Sequence, residues 1–97
     1  MKRTNTQSIG EIIRDFMEQN PELQHKILEI RIERAWREVL GPVVTQYTRN
    51  VYVKEGILYV FLTSSVLRSE LVLCRERLVK SLNEYAGAEV IHDILIR

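Results

Sequence analysis

Apolar residues recur at helical spacing along the first forty positions. Ser8-Ile9-Gly10-Glu11 has the form of a capping box, in which a hydroxyl and a carboxylate each satisfy a free backbone donor, so a helix is predicted to begin there. It is expected to end at Asn20-Pro21, because the residue before a proline avoids the α region. A second helix is predicted from Glu22 to Leu40, with Gly41-Pro42 as its αL cap and stop. Its main apolar stripe comprises Leu28, Ile32, Ala35, Trp36 and Val39.

The pattern then changes to extended segments that are rich in Val, Thr and Tyr. Val43 to Val53 is predicted as a strand, and the apolar run from Ile57 to Leu62 is typical of the central strand of a small sheet. The short connection Lys54-Glu55-Gly56 makes the two strands a hairpin.

A third helix is predicted over Val66 to Ala86, with Ser64 or Ser65 as its cap and Gly87 at its end. One face of this helix carries Leu67, Leu71, Cys74, Leu78, Leu82 and Tyr85. Val90 to Arg97 is predicted as the last strand. The order α-α-β-β-α-β favours an α+β fold, with helices packed on one face of a three-stranded sheet.

The composition is typical of one small globular domain. A chain of 97 residues with 45% apolar content is expected to form one core over residues 8–97, after a flexible basic arm at residues 1–7. A single cysteine excludes an internal disulfide and is typical of a reducing compartment. Neither a membrane span nor a secretory signal is recognisable, so a cytoplasmic protein without membrane contact is expected.

The sequence holds no recognisable catalytic or metal-binding motif. Phosphate-binding loops, dinucleotide fingerprints and nucleophile elbows are absent from it. His25, His92 and Cys74 are too few and too scattered for a zinc site, and Cys74 lies in an apolar stripe as a small hydrophobe. We therefore expect a protein that is not an enzyme and uses no cofactor or metal.

Local clusters of cations are the main indication of a binding function. With 14 Lys and Arg against 13 Asp and Glu, nucleic-acid binding would depend on the local segregation of charge. Cations step along one side of the second helix and recur on the third. The hypothetical phosphate-binding set is Arg31, Arg34, Arg37, Arg68, Arg75 and Lys80. The alternative is a solvated surface with i, i+4 pairs such as Glu33 with Arg37 and Glu76 with Lys80.

Aromatic residues crowd the two predicted hairpin strands. If helices cover the side of Leu58 and Val60, then Tyr59 and Phe61 point to the other side of the sheet. There they could stack bases or dock a partner, or another segment or a second copy could cover them. Trp36 lies in an apolar stripe and is expected in the core.

Several stretches together resemble a known family. They are Trp36 to Val44 with its Trp-x-x-Val-Leu-Gly-Pro spacing, Gly56-Ile57-Leu58-Tyr59-Val60, Ser64-Ser65 and Glu70-Leu71, together with the opening Asn5 to Glu11. Their order and spacing resemble the DciA family, whose members help to load the replicative helicase DnaB, and the resemblance covers nearly the whole chain. It implies a KH-like α-β-β-α-β domain preceded by a helix. It also implies association with a DnaB-type helicase and weak, mostly sequence-independent binding of single- or double-stranded DNA.

Two departures from these patterns limit what the resemblance implies. The Gly-x-x-Gly loop of an RNA-binding KH domain is missing from the sequence. Longer family members carry a C-terminal extension implicated in helicase contact, whereas this sequence ends with its last strand. The leading hypothesis is a DNA-binding accessory protein that tethers DNA and helicase. The alternative is a protein-interaction module without nucleic acid, in one form a homodimer, that acts through Tyr59 and Phe61.

Overall fold

The order of elements confirms the predicted α+β class and adds one helix to it. A computed structural model describes residues 8–97, and the predicted basic arm at residues 1–7 lies outside the described residues. The elements are α1 (Ile9–Glu18), α2 (Pro21–Gln46), β1 (Thr48–Lys54), β2 (Ile57–Leu62), α3 (Ser65–Val72), α4 (Arg75–Ala86) and β3 (Asp93–Ile96). The observed order is α-α-β-β-α-α-β. The KH-like arrangement implied by the resemblance is compatible with it.

The sheet has the order β1-β2-β3, so β2 is the central strand as predicted. The strands β1 and β2 form the predicted hairpin, with Val51 opposite Val60 and Tyr52 opposite Tyr59. The strands β2 and β3 are parallel, with Leu58 opposite Ile94. A parallel pair needs a crossover connection, which α3 and α4 supply.

The core forms between α2, α4 and the inner face of the sheet. Leu58, Val60 and Ile94 from the strands are buried against Ile32, Ala35 and Trp36 from α2 and Leu78, Leu82 and Ala86 from α4. Trp36 is fully buried, which confirms its predicted place. Its indole Nε1 donates to Thr48 Oγ1 at 3.0 Å, and this hydroxyl donates to the carbonyl of Val44 at 2.8 Å. The tryptophan thus joins α2 to the start of β1.

The prediction of a strand from Val43 was wrong for its first residues. The chain breaks from helical geometry at Gly41, with φ 84° and ψ 179°, and becomes helical again from Pro42 to Gln46. The predicted αL conformation of Gly41 is therefore wrong, because its ψ is far from the value of about 47° typical of that region. A proline fits the first turn of a helix as well as it ends one, because its missing N–H has no intrahelical partner there. The hydroxyl of Thr45 donates to the carbonyl of Gly41 at 2.8 Å and stabilises this added turn. The strand β1 therefore begins only at Thr48.

The predicted single helix from Val66 to Ala86 is two helices, with a break at Leu73 and Cys74. Ser64 caps the first of them, as predicted, by accepting the N–H of Leu67. The apolar spacing continues across the break, so periodicity gives no sign of it. Cys74 is partly buried and packs against the core, whereas Tyr85 is exposed and was wrongly placed on the buried face. Gly87 ends α4 in the αL conformation as predicted.

The last strand is shorter than the predicted span from Val90 to Arg97, because a side chain from α4 holds the segment before it. Asn83 Nδ2 donates to the carbonyl of Ile91 at 2.8 Å, and Asn83 Oδ1 accepts the N–H groups of Val90 and Ile91 at 2.9 and 3.1 Å. These backbone groups therefore bond to a helix side chain instead of β2. The strand begins only at Asp93.

The helix α1 forms as predicted but does not join the core. Ser8 and Glu11 complete the capping box, with the Ser8 N–H donating to Glu11 Oε1 at 2.9 Å and Ser8 Oγ accepting from the Glu11 N–H at 3.1 Å. No residue of α1 is buried. The molecule measures 59 × 24 × 19 Å, which is elongated for its length. The expectation that every apolar stripe lies on the sheet is therefore wrong for α1.

Replacing Gly41 with alanine is expected to destabilise the protein by about 1–3 kcal/mol, because the backbone region with φ 84° and ψ 179° is open essentially to glycine alone. A Cβ at this position would meet no atom within 4 Å, so backbone strain is the cause of the loss. Urea denaturation measures it. Gly87→Asn is the control, because asparagine tolerates the αL conformation that Gly87 adopts. Equal stability of wild type and Gly41→Ala would contradict the assigned backbone geometry.

Candidate nucleic-acid interface

The structure divides the six candidate phosphate-binding cations into two groups. Arg34, Arg37 and Lys80 are exposed, and their side chains make no hydrogen bond or ion pair with any other residue in 8–97. The other three, Arg31, Arg68 and Arg75, each already contact a carbonyl or a carboxylate. Only the first three therefore present a free cationic group to solvent.

The three free cations lie on the outer sides of α2 and α4. At about 100° per residue, Arg34 and Arg37 lie away from the buried Ala35 and Trp36, and Lys80 lies opposite the buried Leu78 and Leu82. The two helices pack against each other and bury their inner sides in the same core. Their outer sides face away from the sheet. We call the surface that carries Arg34, Arg37 and Lys80 the helical surface.

Two of the remaining arginines bond to backbone carbonyls of other elements, one of them 55 residues away and the other six. Arg31 Nη1 donates to the carbonyl of Ala86 at 3.4 Å, at the C-terminus of α4. A cation there satisfies a free carbonyl and is attracted by the partial negative charge at the end of the helix. Arg68 Nη2 donates to the carbonyl of Leu62 at 3.3 Å, and Arg68 Nε is buried without a partner among the described residues. Both guanidinium groups thus connect helices to neighbouring elements of the fold.

Arg75 is engaged in an ion pair across the sheet edge. Its Nε lies 3.4 Å from Asp93 Oδ1, which links the first residue of α4 to the first residue of β3. Both side chains are about half exposed, so the pair contributes little to stability. A phosphate at Arg75 would nevertheless compete with this carboxylate.

The two i, i+4 pairs expected of the candidate cations, Glu33 with Arg37 and Glu76 with Lys80, are not formed. Within residues 8–97 the ion pairs shorter than 4.0 Å are Arg75 with Asp93 and His25 with Glu29, and the latter is charged only when the histidine is protonated. Neither Arg37 nor Lys80 pairs with the glutamate four residues before it. Their charges therefore stay available to an external anion.

One exposed feature was missed because the helix break has no sequence signal. Leu73 is 79% exposed at the break between α3 and α4, and Arg77 Nη2 donates to Cys74 Sγ at 3.5 Å beside it. A shallow cavity of about 420 Å³ lies there and is lined by residues 72–77. No other element contributes to its lining, so no acid–base groups converge on it from elsewhere in the fold.

The outer face of the sheet carries a group of aromatic side chains. Leu58, Val60 and Leu62 are buried, so Tyr59 and Phe61 lie on the side away from the core, as their alternation predicts. Tyr52 from β1 stacks on Tyr59 with ring centroids 5.0 Å apart and on Phe61 with centroids 6.1 Å apart. Tyr52 was expected among the aromatic residues of the hairpin but was not assigned to this face, on which its pairing with Tyr59 places it.

Two kinds of site are absent from the part of the chain that the structure describes. No three His, Cys, Asp or Glu side chains in residues 8–97 come together as metal ligands would. None of the helices there has the length and apolarity needed to cross a membrane.

Comparison with known proteins identifies a family. The profile of the family described as Dna[CI] antecedent, DciA, matches residues 8–96. The match includes every helix and strand of the fold. No curated protein matches the chain.

Proposed function

Because the chain belongs to the DciA family, we propose that it holds DNA and a DnaB-type replicative helicase together. The family is one of helicase-loading accessory proteins associated with DnaB, and it is not a known enzyme family. The observation that carries the DNA-binding part of the proposal is the set of unpaired cations Arg34, Arg37 and Lys80 on the helical surface.

The expected contacts are with phosphate oxygens. Two guanidinium groups and one ammonium group bind phosphates without reading base edges, so binding is independent of sequence. Binding through so few contacts is also weak, because the affinity increases with the number of phosphates that are neutralised and the counterions that they release. A second surface of the protein holds the helicase, and the tether raises the local concentration of helicase at DNA.

Fluorescence anisotropy of labelled double- and single-stranded DNA tests the DNA-binding part. For three phosphate contacts the affinity for duplex is expected to fall about 40-fold between 50 and 200 mM salt, from a logarithmic slope of about −2.7. For single strands the slope is shallower, at about −2.1. The absence of binding at 50 mM salt would contradict the proposal that this protein binds DNA.

An alternative function is a protein-interaction module that binds no nucleic acid. The observation that favours it is the stacked group of Tyr52, Tyr59 and Phe61, which no helix of the described chain covers. Light scattering on the double variant Tyr59→Ala with Phe61→Ala tests its homodimeric form. In that form wild type has twice the mass of the variant. An equal mass for the two proteins would count against it.

A further inference from the structure

Among residues 8–97, two groups of apolar side chains are exposed on a single helix or sheet face. The first is the apolar side of α1, here called the α1 face, where the exposed fractions are Ile9 76%, Ile12 44%, Ile13 51% and Phe16 56%. A ten-residue helix is too short to be stable alone in water, even with its capping box. An apolar stripe on such a helix therefore requires a surface on which to pack.

The second surface is the outer side of the sheet, here called the sheet face. Tyr59 of β2 is opposite Tyr52 of β1 on one side and Leu95 of β3 on the other. The three side chains therefore form a row across the strands. Ile57 and Phe61 lie two residues to either side of Tyr59 on β2 and share its side of the sheet. The sheet face consists of Tyr52, Ile57, Tyr59, Phe61 and Leu95.

The two surfaces match in length. The stripe from Ile9 to Phe16 extends about 10 Å along the helix axis at 1.5 Å per residue. The row from Ile57 to Phe61 extends about 13 Å along β2 at 3.3 Å per residue. A single helix laid on the sheet would therefore cover this row.

The two surfaces also match in charge. The helix α1 carries three acidic residues and only Arg14 as a cation, which gives it a net charge of −2. The sheet face is bordered by Lys54, opposite Ile57, and by Arg97, two residues beyond Leu95. The one acidic residue of β3, Asp93, is also opposite Ile57, and its carboxylate is paired with Arg75. The side chain of neither cation has a polar partner among the described residues. An acidic helix is repelled by nucleic acid and by anionic lipid, so a surface with a basic border suits it best.

The two complementary surfaces lie apart within one copy. The principal contact of α1 is with α2, the helix that follows it. The core side of α2 packs on the inner face of the sheet, whereas the sheet face is on the other side. We infer that two copies exchange α1, so that each α1 face packs on the sheet face of the partner copy. Such a reciprocal contact closes into a twofold dimer.

This inference rests on the alternative assignment of the sheet face as a protein contact and is independent of DNA binding.

Light scattering over a range of protein concentrations is expected to give twice the monomer mass at high concentration. Ile13→Asp with Phe16→Asp changes the α1 face, and Tyr59→Asp with Phe61→Asp changes the sheet face. Each double variant is expected to remain a monomer. The matched control Leu73→Asp, which places a charge at an exposed leucine outside both surfaces, is expected to dimerise as wild type.

Folding of each variant is checked by circular dichroism. The α1 variant leaves the core intact, because none of its substituted residues is buried. Since Tyr59 and Phe61 are half-buried, Tyr52→Asp on the edge strand β1 serves as a second sheet-face variant. It is expected to be folded and monomeric.

Mixing the two double variants separates this dimer from other arrangements. The mixture retains one intact pair, formed by α1 of the sheet-face variant and the sheet of the α1 variant. We expect it to recover dimers that neither variant forms alone. A dimer joined through two α1 helices would not recover in this way.

Cross-linking from a photoreactive residue at position 13, in an equal mixture of isotope-labelled and unlabelled protein, identifies the copy that is contacted. Links from α1 to β2 between labelled and unlabelled copies are expected. Wild type that is monomeric at every concentration, or links confined to one copy, would overturn the inference. If the sheet-face variants alone abolish dimers, the sheet face remains a protein contact but α1 is not its occupant.

Discussion

Replacing Trp36 with alanine is expected to lower the free energy of unfolding by about 3–5 kcal/mol, the usual loss for a large aromatic removed from a core. Trp36 is the largest fully buried side chain, and it lies among residues of α2, α4 and the sheet. The substitution also removes the donor to Thr48 that joins α2 to β1. A small domain has a total stability of about 5–15 kcal/mol, so the variant is expected to be close to unfolding.

Urea denaturation followed by circular dichroism measures this loss, because Trp36 is the single tryptophan and its own fluorescence is removed with it. Thr48→Val is the partner variant, since it keeps the shape of the side chain but leaves the buried indole N–H without an acceptor. It is expected to cost about 1–3 kcal/mol. A loss below about 1 kcal/mol for Trp36→Ala would contradict a core centred on this residue.

The second large effect is expected on DNA binding. Arg34→Glu combined with Arg37→Glu removes two of three proposed phosphate contacts from the helical surface. Between 50 and 200 mM salt the affinity of wild type for duplex is expected to fall about 40-fold, and that of the variant only about 3-fold. Both residues are exposed and unpaired, so the fold is expected to remain intact.

The matched control is Arg14→Glu with Arg49→Glu, which changes the net charge by the same amount at exposed positions on α1 and β1. It is expected to retain the salt dependence of wild type. If both variants lower the affinity equally, overall charge would explain binding. The helical surface would then have no special part in it.

The local features of the fold were predictable where neighbouring residues determine them. The capping box at Ser8, the central strand β2 and the buried Trp36 follow from short patterns of residues, and the structure confirms each of them. Gly41-Pro42 was misjudged because a proline both ends one helix and begins another. At Gly41-Pro42 only the tertiary fold decides whether the proline ends one helix or begins the next.

The remaining errors concern features that apolar periodicity does not record. The break at Cys74 lies inside a continuous apolar stripe, and the start of β3 depends on hydrogen bonds from Asn83. For the candidate interface, the sequence showed six similar cations on two helices. The contact of Arg31 with Ala86, 55 residues away, and that of Arg75 with Asp93 depend on the folded arrangement. The structure was therefore needed to distinguish the free cations from the engaged ones.

Recruitment of a DnaB-type helicase to DNA is the function that we propose for this protein. Its most direct test is a titration of helicase onto labelled single-stranded DNA, with this protein either absent or present at a fixed concentration. If the protein acts as a tether, it will lower the helicase concentration needed for half-maximal binding, and the Arg34→Glu, Arg37→Glu variant will not. An identical helicase titration with and without the wild-type protein would contradict this proposed function.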